Sequence, residues 1–80
     1  MSDELRVSGI WRKLTKASTD IPRVGGLAVR ALYVGTAGTA NLMGGDGEIA
    51  TDFPLQAGMN AIRPRQVRTG GTADDIWALY

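Results

Sequence analysis

Glycine clusters divide this chain into short apolar runs, and this pattern constrains its fold more than any other feature. Eleven of the 80 residues are glycine, about twice the usual share. Most stand in four clusters: Gly25-Gly26, Gly35 with Gly38, Gly44-Gly45 with Gly47, and Gly70-Gly71. Glycine is favoured in turns because it adopts positive φ without steric cost. Short apolar runs between such turns predict an all-β fold, a small antiparallel sandwich or barrel.

About five strands are expected between these turns, over residues 27–34, 39–43, 48–53, 59–68 and 73–80. We expect the first two to pair as a hairpin across the turn that contains Gly35 and Gly38. Pro64 cannot donate a hydrogen bond to a neighbouring strand, so the fourth strand is predicted to be bulged or at an edge. Tyr33 and Trp77 are predicted to lie in the core, and Tyr80 is predicted to be packed in the sheet.

The first 16 residues are assigned to an N-terminal arm that precedes a β domain over residues 17–80. Four apolar residues in the arm have helical spacing, whereas residues 5–8 alternate as in a strand, so we predict an extended or partly helical segment. We also predict that its apolar side chains contact another subunit; these are Leu5, Val7, Ile10, Trp11 and Leu14.

A chain of this length can build only a thin core. Surface scaling predicts that folding buries about 62% of the surface of the unfolded chain. Small domains of this kind are often stabilised by disulfides, a metal or partner subunits. The sequence has neither cysteine nor histidine, which removes disulfides and the commonest metal ligand. We therefore predict a homo-oligomer.

The residue inventory argues against an enzyme. Without histidine the commonest general base is missing, and Ser2, Ser8 and Ser18 have no partner for nucleophilic catalysis. The acidic residues stand mostly in or beside glycine-rich turns; they leave a calcium site as an alternative, but they lack the 12-residue EF-hand loop. The glycine clusters do not match nucleotide-binding motifs. We predict no catalytic residue, no metal and no cofactor.

The net charge of the protein is too small to attract a polyanion strongly. Nine basic and eight acidic residues leave a formal net charge of +1, so we expect no direct nucleic-acid partner and no membrane partner. The beginning of the sequence lacks an apolar segment, and no signal peptide is expected.

Arg63, Arg65 and Arg68 form the densest basic patch. We predict a subunit contact here; a phosphate, an acidic sugar, a nucleic acid or a solvated strand edge are the alternatives. Among the aromatic residues, Trp11 is the best candidate for an intermolecular anchor, and stacking on sugars is the alternative use of such rings.

Four segments of the sequence carry a family resemblance. They are Thr19-Asp20-Ile21-Pro22, Arg30-Ala31-Leu32-Tyr33-Val34-Gly35, Phe53-Pro54-Leu55-Gln56-Ala57-Gly58, and Val67-Arg68-Thr69-Gly70-Gly71-Thr72-Ala73-Asp74-Asp75-Ile76-Trp77-Ala78-Leu79-Tyr80. With these segments in this order, the sequence resembles the spike base proteins of gene transfer agents and of alphaproteobacterial prophages and tailed phages. The resemblance covers residues 17–80, with Gly71 where the family usually has Thr.

The resemblance implies a non-enzymatic virion protein on the capsid exterior, assembled in the cytoplasm of the bacterial host. Proteins of this family are thought to form an oligomeric base that carries a head spike or fibre. The implied partners are sibling subunits, the major capsid protein and the spike or fibre protein. Two alternatives stay open: a decoration (cement) protein that stabilises capsomers, and a carbohydrate-binding module of a tail or spike fibre.

Overall fold

A computed structural model describes residues 9–80, which fold into two antiparallel sheets. The strands are β1 (Trp11–Lys13), β2 (Ala31–Thr36), β3 (Gly38–Met43), β4 (Ile49–Leu55), β5 (Gly58–Asn60), β6 (Gln66–Arg68) and β7 (Asp74–Leu79). One sheet has the order β1-β7-β2-β5 and the other has the order β4-β3-β6. The predicted all-β fold is confirmed. Within residues 9–80, no helix is long and apolar enough to span a membrane.

The core lies between the two sheets and is built from small and branched side chains together with Tyr80. Leu32 and Val34 of β2 are its largest fully buried residues. They pack in one cluster with Ile76 of β7 and with Leu42 and Val67 of the second sheet. Because successive residues of a strand point to opposite faces, every second residue of β2 and β7 is directed away from this core.

The predicted hairpin between the first two long strands is wrong. Only Ala37 separates β2 from β3, yet the two strands belong to different sheets. The chain turns here between closely packed backbones: a Cβ added at Gly38 would lie 2.6 Å from the amide nitrogen of Ala73. β3 instead pairs with β4 across the predicted glycine turn, where the Gly44 amide donates to the Glu48 carbonyl at 2.9 Å.

The strand predicted over residues 59–68 is divided into two. β5 pairs with β2 in the first sheet, and β6 pairs with β3 in the second. Pro64 lies buried between them. It contributes no backbone donor. The prediction of one strand with a bulge or an edge position at Pro64 is wrong, because Pro64 lies outside both strands, where the chain passes from one sheet to the other.

Tyr80 is held by both its backbone amide and its side-chain hydroxyl. The prediction that Tyr80 is packed in the fold is confirmed. Its side chain is buried, its amide donates to the Ile10 carbonyl at 2.9 Å, and its hydroxyl donates to the Pro22 carbonyl at 2.7 Å. Burial raises the pKa of the Tyr80 hydroxyl, which the charge of Arg12 partly offsets.

Residues 11–13, predicted to lie in an arm, form an edge strand of the first sheet. β1 pairs with β7, and the Leu14 amide continues the pairing by donating to the Ile76 carbonyl at 2.8 Å. Ile10 and Leu14 are half-buried against the core cluster. The helical alternative is wrong for this stretch, since Trp11 to Lys13 are extended.

Candidate interaction surface

An aromatic surface covers the outer side of the first sheet; we define it as Trp11, Tyr33, Met59, Trp77 and Leu79. Strand register brings these residues together. Tyr33 stands between Trp77 of β7 and Met59 of β5, and Trp11 of β1 is paired with Leu79 of β7. Cross-strand partners project to the same face, so the side chains form one surface. A shallow groove of about 280 Å³ runs between the two Trp, the Tyr and the Leu.

The aromatic surface is exposed to solvent. Trp11 is 55% exposed, Tyr33 51% and Met59 43%, whereas Trp77 and Leu79 are half-buried. The prediction that Tyr33 and Trp77 lie in the core is wrong. Leu32 and Val34 occupy the inner face of β2, and Ile76 occupies the inner face of β7. Adjacent exposed aromatic residues on one sheet face are typical of a binding surface.

A charged pair borders the aromatic surface beside Trp77. The indole Nε1 donates to Asp75 Oδ1 at 2.9 Å, and Lys13 Nζ lies 3.5 Å from the same oxygen. Lys13 Nζ is also 6.0 Å from the centre of the indole ring, at the outer limit for a cation–π contact. These contacts orient the Trp77 ring and give the surface a polar margin.

Gly35 makes room for the Asp75 side chain. A Cβ at Gly35 would meet the Asp75 carboxylate and would lie 2.9 Å from the Asp75 Cβ. Asp75 itself has a φ of 54°, a conformation that is uncommon outside glycine. The glycine in β2 and the strained aspartate in β7 therefore belong to one local arrangement, which holds the carboxylate against Trp77.

The predicted arm residues have different positions. Trp11 lies on the aromatic surface, whereas Ile10 and Leu14 pack against the core. Leu5 and Val7 lie outside the described residues. Within residues 9–14, Trp11 is thus the apolar residue that is available for an intermolecular contact.

The predicted basic patch is divided between two environments. Arg65 Nε lies 3.1 Å from Asp20 Oδ2, and Arg68 donates to the side-chain oxygen of Gln66 at 2.7 Å. Arg63 is exposed and lines a different cleft together with Arg65. Hydrogen bonds from Gln66 and Arg65 lower the pKa of the Asp20 carboxyl below its ordinary value of 3.8.

The four sequence segments 19–22, 30–35, 53–58 and 67–80 contact one another. The hydroxyl of Tyr80 in the last segment bonds to Pro22 in the first, and the strand that contains Trp77 pairs with the strand that contains Tyr33. The third segment leaves β4 through Leu55 and enters β5 at Gly58, which has a φ of 94°. These segments therefore include turns, core contacts and part of the aromatic surface.

Sequence reasoning missed Lys13, Met59, Asp75 and Leu79 as members or neighbours of the aromatic surface. The available signal was the period of two in β2 and β7, where Tyr33 and Trp77 alternate with the buried aliphatic residues. Within residues 9–80 there is no group of three or more acidic residues placed to hold a metal ion. Comparison of the chain with protein-family models, curated proteins and solved structures found no match.

Proposed function

We propose that this protein is a structural protein of a tailed phage or gene transfer agent, a capsid-associated subunit of an oligomeric head-spike base. The resemblance of four ordered segments to spike base proteins supports the viral part of this proposal. The aromatic surface supports the oligomeric part, and it is the observation that carries the proposed role. In this role the protein performs no catalysis and acts by self-association and by docking on the capsid.

The aromatic surface has the composition of an interface centre. Tyr and Trp are enriched in the centres of protein interfaces because they bury a large area at a small entropic cost. An aromatic side chain buries about 150–250 Å² when it is fully covered, so the half-exposed residues here provide on the order of 300 Å² of apolar surface. An interface of standard size buries about 800 Å² on each partner, and the charged margin around Lys13 and Asp75 supplies a polar rim.

Purified particles from a host that encodes the protein test this role. Mass spectrometry of intact particles is expected to find the chain, and cryo-electron microscopy is expected to place it at the capsid vertices. A copy number of a few tens supports a vertex base, whereas hundreds of copies support the decoration protein. Particles that lack the chain altogether would reject both structural roles.

Binding of carbohydrate is the second candidate function, and the same surface favours it. Flat rings beside a carboxylate and an ammonium group can stack on a sugar ring and bond its hydroxyls. Tyr80 does not contribute, because it is buried. Glycan binding by the isolated chain that is lost on Tyr33→Ala, with no change in oligomeric state, would favour this candidate over the structural role.

A further inference from the structure

A cleft on another part of the molecule collects four arginine side chains. Its volume is about 570 Å³, and its basic lining residues are Arg23, Arg30, Arg63 and Arg65. They come from three separate stretches of the sequence, so the fold and not local sequence assembles this arginine cleft. The volume lies within the usual range of small-molecule sites, about 300–1,000 Å³.

Among the charged residues that line the arginine cleft, basic residues predominate. Asp20 is the acidic residue in its lining, so four arginines and one aspartate give a formal charge of +3. The whole chain carries +1, and the remaining residues therefore sum to −2. The Asp20 carboxylate already accepts from Arg65 Nε and from Gln66 Nε2, the latter at 2.8 Å. Because the Asp20 carboxylate already bonds to these two side chains, it is less able to pair with a further arginine.

Hydrogen bonds fix the backbone at two of these arginines. Pro64 is buried, and it projects into the protein between the exposed Arg63 and Arg65. The Arg65 amide donates to the Met43 carbonyl at 2.7 Å, and the Arg65 carbonyl accepts from the Ile21 amide at 2.9 Å. The Arg30 amide donates to the Leu79 carbonyl at 2.8 Å. The backbone beneath the arginines is therefore fixed before any ligand arrives.

The arginines differ in how they are engaged. Arg23 donates to the Gly26 carbonyl at 3.2 Å and Arg65 pairs with Asp20. The Arg63 guanidinium forms no hydrogen bond or ion pair with the rest of the described chain, so its donors are free for a ligand. Guanidinium groups bind phosphate and carboxylate through paired N–H donors and are less strongly hydrated than ammonium groups.

From this arrangement we infer that the arginine cleft is a binding site for a small, multiply charged oxyanion ligand. A phosphate ester and a polycarboxylate share this chemistry. Val29 and Pro64 in the lining are buried apolar residues, which suit a ligand with an organic part beside its charged groups. The site is separate from the aromatic surface and does not depend on the proposed structural role.

Titration of the full-length chain by calorimetry at low ionic strength tests the site. The probes are inorganic pyrophosphate, citrate and glucose, which distinguish a phosphoryl ligand from a polycarboxylate and from a neutral molecule. We expect saturable binding of at least one anion and none of glucose. Arg63→Gln removes one charge-assisted contact and is expected to weaken that binding by about tenfold.

Arg68→Gln is the matched control. It removes the same charge from the same region, but Arg68 bonds to Gln66 and does not line the cleft. We expect it to retain the affinity of the unmodified chain within about twofold, because Arg68 does not line the cleft and would form no direct charge-assisted contact with the anion. Equal losses in the two variants would indicate general attraction of anions and would overturn the site.

A second measurement does not depend on any variant. Resonances of the arginine Nε–H groups, followed by NMR during addition of the bound anion, are expected to shift for Arg63 more than for Arg68. Absence of binding by both anions would reject the proposal. So would dissociation of an oligomer by Arg63→Gln with unchanged anion binding, since that outcome assigns Arg63 to a subunit contact.

Discussion

At the scale of single residues, Gly71 is a position where only glycine fits. Its φ is +79°, and an added Cβ would lie 2.9 Å from the Ala40 Cα and closer still to the Thr39 carbonyl oxygen. Close approach is needed because the amides of Thr72 and Ala73 both donate to that carbonyl. Glycine at position 71 thus allows two backbone segments to approach closely.

Gly71→Ala is expected to lower the free energy of unfolding by about 2 kcal/mol or more, through unfavourable φ and the displaced backbone. Gly45→Ala is the control, since an added Cβ there meets nothing within 4 Å and its φ is not positive. Urea unfolding measures the stability of both variants. Gly45→Ala should change the free energy of unfolding by less than about 0.5 kcal/mol. Equal effects of the two substitutions would contradict the backbone contact.

Asp20 gives the stability of the protein a defined dependence on acid. Its pKa is lowered in the folded state by the hydrogen bonds from Gln66 and Arg65. The unfolded chain therefore binds a proton at a higher pH than the folded chain does. The contribution of Asp20 is present above its ordinary pKa of 3.8 and is lost as the pH falls through the lowered value.

Asp20→Asn is expected to destabilise the protein at pH 7, and the difference from the unmodified chain should shrink as the pH falls towards about 2. Urea unfolding at a series of pH values measures this convergence. Asp74→Asn, which replaces an exposed carboxylate on β7, is the control and should change the stability at pH 7 by less than about 0.5 kcal/mol. If the difference in stability between Asp20→Asn and the unmodified chain stays constant with pH, folding does not lower the pKa of the Asp20 carboxyl.

At the scale of elements, β1 stabilises the last strand, β7, by pairing with it. It supplies the partner for one edge of β7, and Ile10 and Leu14 pack against the core on either side of it. Residues 17–80 without β1 would expose that edge and two apolar contacts. An exposed strand edge favours pairing with another chain.

Removal of residues 1–16 should therefore cost about 3 kcal/mol or more, comparable to losing one or two buried aliphatic side chains. This is a large share of the stability of a small domain. Removal of residues 1–8 retains every contact described for β1 and is the comparison. Thermal unfolding followed by circular dichroism measures both; equal midpoints would show that β1 adds nothing to the folded domain.

The turns and most strands could be predicted from the sequence, because glycine clusters and apolar alternation are local signals. The assignment of strands to sheets could not. β2 and β3 are adjacent in sequence but pair with β7 and β4, and these pairings depend on long-range contacts. The same limit affected the candidate site: Trp11 was predicted to be a contact residue, whereas Tyr33 was misassigned because both faces of its strand are apolar.

At the scale of the whole molecule, the two candidate surfaces differ in chemistry and origin. The aromatic surface lies on the outer side of the first sheet, across β1, β7, β2 and β5. The arginine cleft is built from residues in loops between strands. Substitutions can therefore separate self-association from anion binding, which gives independent tests of the two proposals.

If the aromatic surface holds subunits together, substitutions in it should weaken self-association. Trp11 and Tyr33 are half exposed, so Trp11→Ser with Tyr33→Ser should leave the fold intact while removing the centre of an interface. Central aromatic residues of interfaces contribute about 2 kcal/mol or more each, so the double variant should associate about 700-fold more weakly if the two contributions add. Sedimentation equilibrium over a range of concentrations measures the change.

Ile49→Ser is the matched control for this experiment. Ile49 is also 51% exposed, but it belongs to β4 in the second sheet. Its replacement removes exposed apolar area without touching the aromatic surface, and the association constant should stay unchanged. If the unmodified chain is monomeric at every concentration, or if Ile49→Ser dissociates it as strongly as the double variant, this surface does not hold the subunits together.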